Sequence, residues 1–327
     1  MISFLSRRLA YTAFTLLLVS FVSFVIIQAA PGDYAEIVAA QRAATGAIIS
    51  AADVQAVRVE LGLDKPWHEQ YWRWLSGALQ GDFGYSWQWR RPVGEAIGER
   101  MPLTLAIAFS TLLFMYAVSI PIGIYSAVHR YSFGDHASSL VGYLGLAIPN
   151  FLLALVLMYL GQKYFGQSVG GLFSPEFANA PWSWARVKDF LSHLVIPVLV
   201  LGTAGTAYLI RSMRAAVLDE LDKMYVLAAK ASGLSPMQLL IRYPVRMALN
   251  PIAATLGWRL TYVISGAPIV GYVLALPDTG PLFLNALLNQ DMYLAGALIF
   301  LYCLLTIIGT FVSDLLLVLL DPRIRLE

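Results

Sequence analysis

Charged side chains are scarce in this sequence: Asp, Glu, Lys and Arg make up 13% of 327 residues, against 58% hydrophobic. Soluble domains are about 25% charged and roughly 45–50% apolar, so the polar groups needed to cover a soluble fold of this length are missing. A net charge of +2 with no long basic run leaves out the electrostatic footprint of a nucleic-acid binder. Cysteine is nearly absent. Cys303 stands alone inside an apolar run, so there is no intrachain disulfide and no Cys/His metal cluster, and the thiol reads as a small packing group. No Gly-rich phosphate loop ending in Gly-Lys-Ser/Thr, no Gly-x-Ser-x-Gly and no His-Glu-x-x-His occurs, and His68, His129, His136 and His193 are scattered. Those absences argue against nucleotide hydrolysis, serine hydrolysis and zinc hydrolysis by this chain alone.

What is present is long apolar runs. A bilayer core about 30 Å thick takes roughly 20 helical residues to cross. Six segments meet that length: about Leu9–Ala30, Leu103–Val128, Ala137–Leu160, Leu191–Ile210, Met247–Leu276 and Met292–Leu320. The fourth is the weakest, with Pro197, Gly202 and Gly205 inside it. The first follows Arg7 and Arg8 as a secretory signal would, but it is longer than the roughly 7–15 residues of a signal's apolar region. Gln28 also fits a cleavage after Ala30 poorly, so a retained helix is expected.

Lys and Arg in short loops orient such a chain. With the N-terminus inside, the inner segments hold Arg7, Arg8, Arg130, Arg211, Arg214, Lys223, Lys230, Arg242, Arg246, Arg323 and Arg325, and the outer loop from Pro277 to Asp291 holds no basic residue. The outer segment from Pro31 to Arg100 holds seven basic residues, but long loops are largely exempt from the rule. The expected fold is therefore all-α and polytopic, with six transmembrane helices and both termini cytoplasmic.

The expected organisation is a first helix with a long external segment over residues 1–100, then a five-helix core over 101–327. Within the external segment, Ala51 to Leu63 has helical spacing, with Asp53 and Gly62 placed as caps. Trp67, Tyr71, Trp72, Trp74, Phe83, Tyr85, Trp87 and Trp89 follow. They suit either an interfacial belt or a docking surface for an external partner, and the sequence does not choose. The inner segment over 211–246 has two helical stretches parted at Gly233, with Ser235 placed to cap the second and Pro236 in its first turn. The second stretch presents Met237, Leu240 and Ile241 beside Gln238 and Arg242. Isolated helices under about 12–15 residues are marginal, so this one must lie on the membrane or dock into a partner.

Two charges fall inside spans, Arg259 in the fifth and Asp314 in the sixth. An unpaired charge at mid-bilayer costs at least about 2.5–3.5 kcal/mol. The two are expected to face a polar cavity, pair with each other or bind substrate, in a structural or a pathway-lining role; pairing predicts that exchanging them restores activity. Pro and Gly recur in the spans (Pro121, Pro149, Pro197, Pro251, Gly257, Gly266, Pro268), which suits helices that pack closely and rearrange.

The inner segment resembles the signature loop of bacterial ABC importer permeases, Glu-Ala-Ala, three residues, then Gly: Leu227, Ala228, Ala229 and Gly233 occupy those places, without the Glu. The chain is similar to the dipeptide, oligopeptide and nickel branch along nearly its whole length: RRLA at Arg7–Ala10, APGD at Ala30–Asp33, LGLDKP at Leu61–Pro66, QYWRWLSGALQGDFG at Gln70–Gly84, PVGEAIGERMPLTL at Pro92–Leu105, AIPNF at Ala147–Phe151 and SDLLLVLLDPRIR at Ser313–Arg325. The resemblance implies a type I importer permease of the bacterial inner membrane, the first of a homologous pair. Two cytoplasmic ATP-binding subunits, which would carry ATP and magnesium, and an external solute-binding protein would complete it, with no cofactor in this chain. It makes Ala228, Ala229, Gly233, Leu234, Ser235, Pro236, Met237, Leu240 and Ile241 the ATPase-coupling loop. Many relatives have a Glu and then Pro-Gly-Leu-Gly near the outer end of the fifth span; here Gly271 and then Pro277, Asp278, Thr279 and Gly280 stand there. Peptides are the expected cargo, with nickel, opines or oligosaccharides as alternatives. A secondary transporter would bind its coupling ion on intramembrane acids, of which the spans offer only Asp314. A membrane-embedded enzyme would need a catalytic constellation that the spans lack.

Overall fold

Helical order begins as soon as the apolar run does. The computed structural model describes residues 2–28, 35–36, 39, 43, 50–86, 88–165 and 170–320. Helix α1 spans Ile2–Gln28. Helix α2, Ala51–Leu61, starts with a capping box in which Ser50 and Asp53 bond each other's backbone N–H, and it ends at Gly62 with φ 69°. Asp53 is thus the third helical residue, with Ser50 as the cap. Helix α3 is Trp67–Leu79. Strands β1 (Tyr85–Ser86) and β2 (Arg91–Pro92) pair antiparallel, Tyr85 opposite Pro92 and Ser86 opposite Arg91. Helices α4 (Val93–Gly98) and α5 (Met101–Val128) follow.

The third apolar run is two helices, α6 (Phe133–Ala147) and α7 (Asn150–Phe165), with a 104° bend between them. Pro149 causes the break: a residue before proline is driven out of the helical region, and Ile148 sits at φ −86°, ψ 122°. Helix α8, Trp184–Leu221, runs unbroken through Pro197. Beyond it come α9 (Met224–Ala231), α10 (Pro236–Leu240), a π-helical turn (Ile241–Val245) and α11 (Arg246–Ala253). The fifth apolar run is interrupted at Ala254–Thr255 before α12 (Leu256–Val273). Helices α13 (Thr279–Leu288) and α14 (Met292–Leu320) close the described chain.

Two compact units result. One comprises 103–277 with the segments at 1–4 and 305–327; the other comprises 5–102 and 278–304. Asp278–Leu304 belongs to the same unit as 5–102. In the first unit α8 is central, packed by α6, α7, α11 and α12. Its Val200, Leu201, Leu209 and Met213 are buried with Met115 and Ile252. Gly257 lets α12 approach α14 backbone to backbone, because a Cβ there would lie 2.6 Å from Cα of Thr310. In the second unit Val93, Ile97, Leu282, Leu294 and Leu298 form one core cluster, and Phe24, Tyr71, Trp74 and Leu75 another. The aromatic group is accordingly not one uniform belt: Tyr71 and Trp74 are core, while Trp67 and Trp72 are exposed. Trp87 lies outside the described residues.

Among the described residues three helical segments, Val93–Val128, Trp184–Leu221 and Met292–Leu320, are long and apolar enough to cross a membrane, and the bent pair is a fourth if it counts as one span. Their outward faces carry Phe109, Leu113, Leu140, Val141 and Leu319 in the open. Exposed apolar surface on that scale belongs in lipid or against protein. The chain is a multi-pass, mainly helical membrane protein.

Candidate functional site

The signature loop folds as its residues dictate. Val226 and Ala229 turn the inner face of α9 into the protein, while Ala228 and Leu227 stay outside. The helix ends at Ser232, and Gly233 takes φ 83°. Glycine reaches that left-handed region without the steric cost any other residue meets. Ser235 Oγ then accepts the Gln238 N–H at 3.4 Å and Pro236 fills the first turn of α10.

The second stretch is shorter than its apolar spacing suggests. Regular α-structure stops at Leu240, and Ile241 begins the π turn containing Pro244. Proline has no N–H for the carbonyl four residues earlier, and the ladder widens around the gap. No residue of α10 is buried. Met237 and Ile241 are 65% and 57% exposed, and Leu234 and Leu240 are half-buried. Met224 and Leu227 extend the same exposed apolar character to α9. At the near end of α9, Tyr225 donates to Glu220; burial first, and the neighbouring carboxylate second, push that phenol up to about 12. It is a hydrogen-bond donor at every physiological pH.

Sequence reasoning missed the tie that fixes the base of α8. Arg214 clasps the buried Asp135 with two parallel bonds, Nε to Oδ1 at 2.8 Å and Nη2 to Oδ2 at 2.9 Å. Asp135 also accepts the Tyr131 N–H at 3.0 Å. Arg214 stands out in the sequence only as one of several basic residues at that end; that its partner sits 79 positions away depends on how α6 packs on α8.

Arg259 and Asp314 are not brought together: among the described residues no ion pair joins them, so their exchange is not expected to rescue function. Asp314 lies half-buried on α14. Arg259 is 3% exposed near the start of α12, its Cζ 4.2 Å from the ring centre of Trp258 and 4.4 Å from that of Tyr208. Its Nε and Nη2 have no hydrogen-bond partner among the described residues. Nearby, Tyr116 holds the helix interruption, its hydroxyl 3.2 Å from Thr255 Oγ1 and 3.4 Å from the Ile252 carbonyl. A groove of about 740 Å³ between α5, α11, α12 and α14 is walled by Phe109, Leu113, Leu256 and Val312 and has almost no polar surface with which to hold a polar cargo.

In the other unit, Asp291 accepts a bond from Ser86 at 2.5 Å, and burial raises its carboxyl. Asp278 caps α13 by accepting the Gly280 N–H at 3.2 Å. Its other oxygen, Oδ2, has no hydrogen-bond partner among the described residues, and burial pushes its carboxyl up to about 7, against the opposing pull of Arg100.

Comparison with known proteins adds to this geometry. The family described as the inner membrane component of binding-protein-dependent transport systems matches residues 119–326, and its N-terminal companion matches residues 1–108. The oligopeptide transport system permease protein AppB of Bacillus subtilis is 32% identical over 99% of this chain and 100% of its own. The glutathione transport system permease protein GsiC of Escherichia coli is 30% identical over 99% of both chains. A solved chain of the MetNI methionine ABC transporter covers 67% of this chain and 93% of its own, at a TM-score of 0.48 and 17% identity. Family matches over nearly the whole sequence place this chain among the inner membrane permease components of binding-protein-dependent ABC transport systems.

Proposed function

We propose that the chain is one of two homologous permease subunits of an ATP-driven importer in the bacterial inner membrane, and that its cargo is peptides. Two cytoplasmic ATP-binding subunits hydrolyse ATP with magnesium, an external binding protein delivers cargo, and six spans with both termini inside carry it across. The peptide assignment is supported by full-length similarity to proteins named for oligopeptide and glutathione transport. The chain moves its cargo without changing it.

The observation that carries the mechanism is an apolar helix with no buried residue, α10, joined to α9 through Gly233 and to the interrupted span through the π turn. Such a helix gains stability only by burying Met237, Leu240 and Ile241 in a partner, at about 25 cal/mol per Å² of apolar surface removed from water. Seated in a groove of an ATP-binding subunit, it transmits that subunit's closure along α9 to α8 and along the π turn to α11 and α12. Residues 225–242 are then the lever, and Gly233 is its joint. The experiment is import by the reconstituted four-component system carrying Met237→Glu or Leu240→Glu. Met237 touches little in the chain itself, so its variant inserts normally; import falls at least tenfold and the binding protein no longer stimulates ATP hydrolysis. Undiminished import by both variants would overturn the coupling role.

A further inference from the structure

Two arginines of the unit that contains α8, Arg214 and Arg259, differ in one respect. Arg214 uses its Nε and Nη2 edge to grip both oxygens of Asp135. Arg259 is more deeply buried, and the same edge, Nε and Nη2, is desolvated and without a hydrogen-bond partner among the described residues. A guanidinium cannot shed its charge in a protein, and its planar fork matches a carboxylate through two parallel bonds. Two aromatic faces lie within 4.4 Å and offset part of the lost hydration through their negative quadrupoles. They do not accept the two side-on N–H bonds.

The surroundings are those of a binding point. Trp258 and Tyr208 meet edge to face, with ring centres 6.3 Å apart, over the guanidinium. They are themselves 46% and 44% exposed, and Tyr262 beside them is 39% exposed. On the inner side stands Gly205 of α8: a Cβ there would come 3.6 Å from Nη1 and 2.1 Å from Met115 Cε. The glycine leaves room for the Met115 side chain, and Nη1 of Arg259 rests at ordinary contact distance beside it. A cation in the first turn of a helix also opposes the helix dipole, so neither local helix electrostatics nor a carboxylate among the described residues accounts for it.

We propose that Arg259 binds the carboxylate of the cargo, specifically the free C-terminal carboxylate of a peptide in transit, with Trp258 and Tyr208 as a ring cover that turns aside to admit it. This rests on the peptide reading given above. A peptide's terminal carboxylate supplies the two acceptor oxygens that the Nε and Nη2 edge lacks, and its neighbouring side chains find aromatic surface at Trp258, Tyr208 and Tyr262. Because one buried point of contact holds the cargo, the hold is released when the helices carrying it, α8 and α12, move apart.

The test uses the complete importer in proteoliposomes, with radiolabelled trialanine and its C-terminal amide at concentrations that saturate the binding protein. In Arg259→Gln, import of trialanine falls at least tenfold and import of the amide is unchanged, while the binding protein still stimulates ATP hydrolysis; Arg259→Lys recovers part of the loss. If the wild type excludes the amide, trialanine alone decides: a tenfold fall with ATPase stimulation intact supports the assignment, and no fall overturns it. Equal losses for both probes, or loss of ATPase stimulation, mean that Arg259 serves the protein's own packing or an acid on another subunit, and overturn it. A wild-type importer that moves neither probe rejects the peptide reading itself and this inference with it, whereas unaltered trialanine import by Arg259→Gln rejects only the inference.

Discussion

A carboxyl that loses its water and gains only two backbone donors in return holds its proton more tightly, and Asp278 is in that position. Its ordinary value is 3.8, and in the fold it titrates at about 7. Between those values the folded chain keeps a proton that the unfolded chain has released, so raising the pH favours unfolding. The destabilisation is absent below about pH 4 and complete above the folded value. At 1.36 kcal/mol per unit it amounts to at most about 4 kcal/mol. Arg100 faces the carboxyl from the turn after α4, stacked 4.4 Å over Trp89, and Tyr302 stands beside it, bonded to Thr279 Oγ1 at 2.8 Å. Asp278→Asn keeps an oxygen for the Gly280 N–H and removes the titration. The variant is therefore expected to be more stable than the wild type at pH 8 and alike at pH 4, read as thermal unfolding in detergent; parallel melting profiles at both pH values would contradict the account. The sequence marks Asp278 as a departure from its relatives but cannot show its burial, which depends on α13 and Tyr302 closing around it.

Where two helices share a surface, the smallest residue sets the separation. Gly257 and Gly309 face each other across α12 and α14, and a Cβ added at Gly257 would meet the Thr310 backbone at 2.6 Å, which no side-chain rotation relieves. Gly257→Ala should push the helices apart at a cost of about 1–3 kcal/mol, in the range of overpacked cores, seen as a lowered melting temperature of the solubilised chain. An Ala that leaves stability unchanged would mean that this crossing is loose. The apolar runs themselves were legible at this scale, since hydrophobic length needs no tertiary information. Their interruptions were legible only in part. Pro149 announces the α6–α7 bend through the conformational limit it sets on Ile148. Proline alone does not decide, however: α8 passes through Pro197 because Leu194, Val200 and Leu201 pack it tightly on both sides of the missing N–H. The Ala254–Thr255 interruption depends on a hydroxyl from a distant helix, Tyr116, and on Thr255 donating back to the Ile252 carbonyl at 2.7 Å. No local pattern holds that information.

Across the whole molecule the sparse charges fix what apolar length leaves open. Six apolar runs allow two mirror-related topologies, and the distribution of Lys and Arg in short loops chooses between them. In the proposed topology the basic residues near α10 (Lys223, Lys230, Arg242 and Arg246) would put the exposed helix on the side of the ATP-binding subunits. The same proposed topology would put Trp67 and Trp72, both exposed, in the external segment. The chain's single native thiol makes this directly measurable. Cys303 lies within α14, so a membrane-impermeant maleimide should leave the wild type unlabelled. Met237→Cys and Trp72→Cys replace side chains that are 65% and 64% exposed and disturb little packing. In sealed vesicles of native orientation Trp72→Cys should label and Met237→Cys should not; in inverted vesicles the pattern should reverse. Labelling of both from one side would make an odd number of spans between them impossible and overturn the six-span topology, and labelling of both from the outside would overturn the coupling role of α10 as well. The reversed pattern would place α10 outside, where no ATP-binding subunit can reach it.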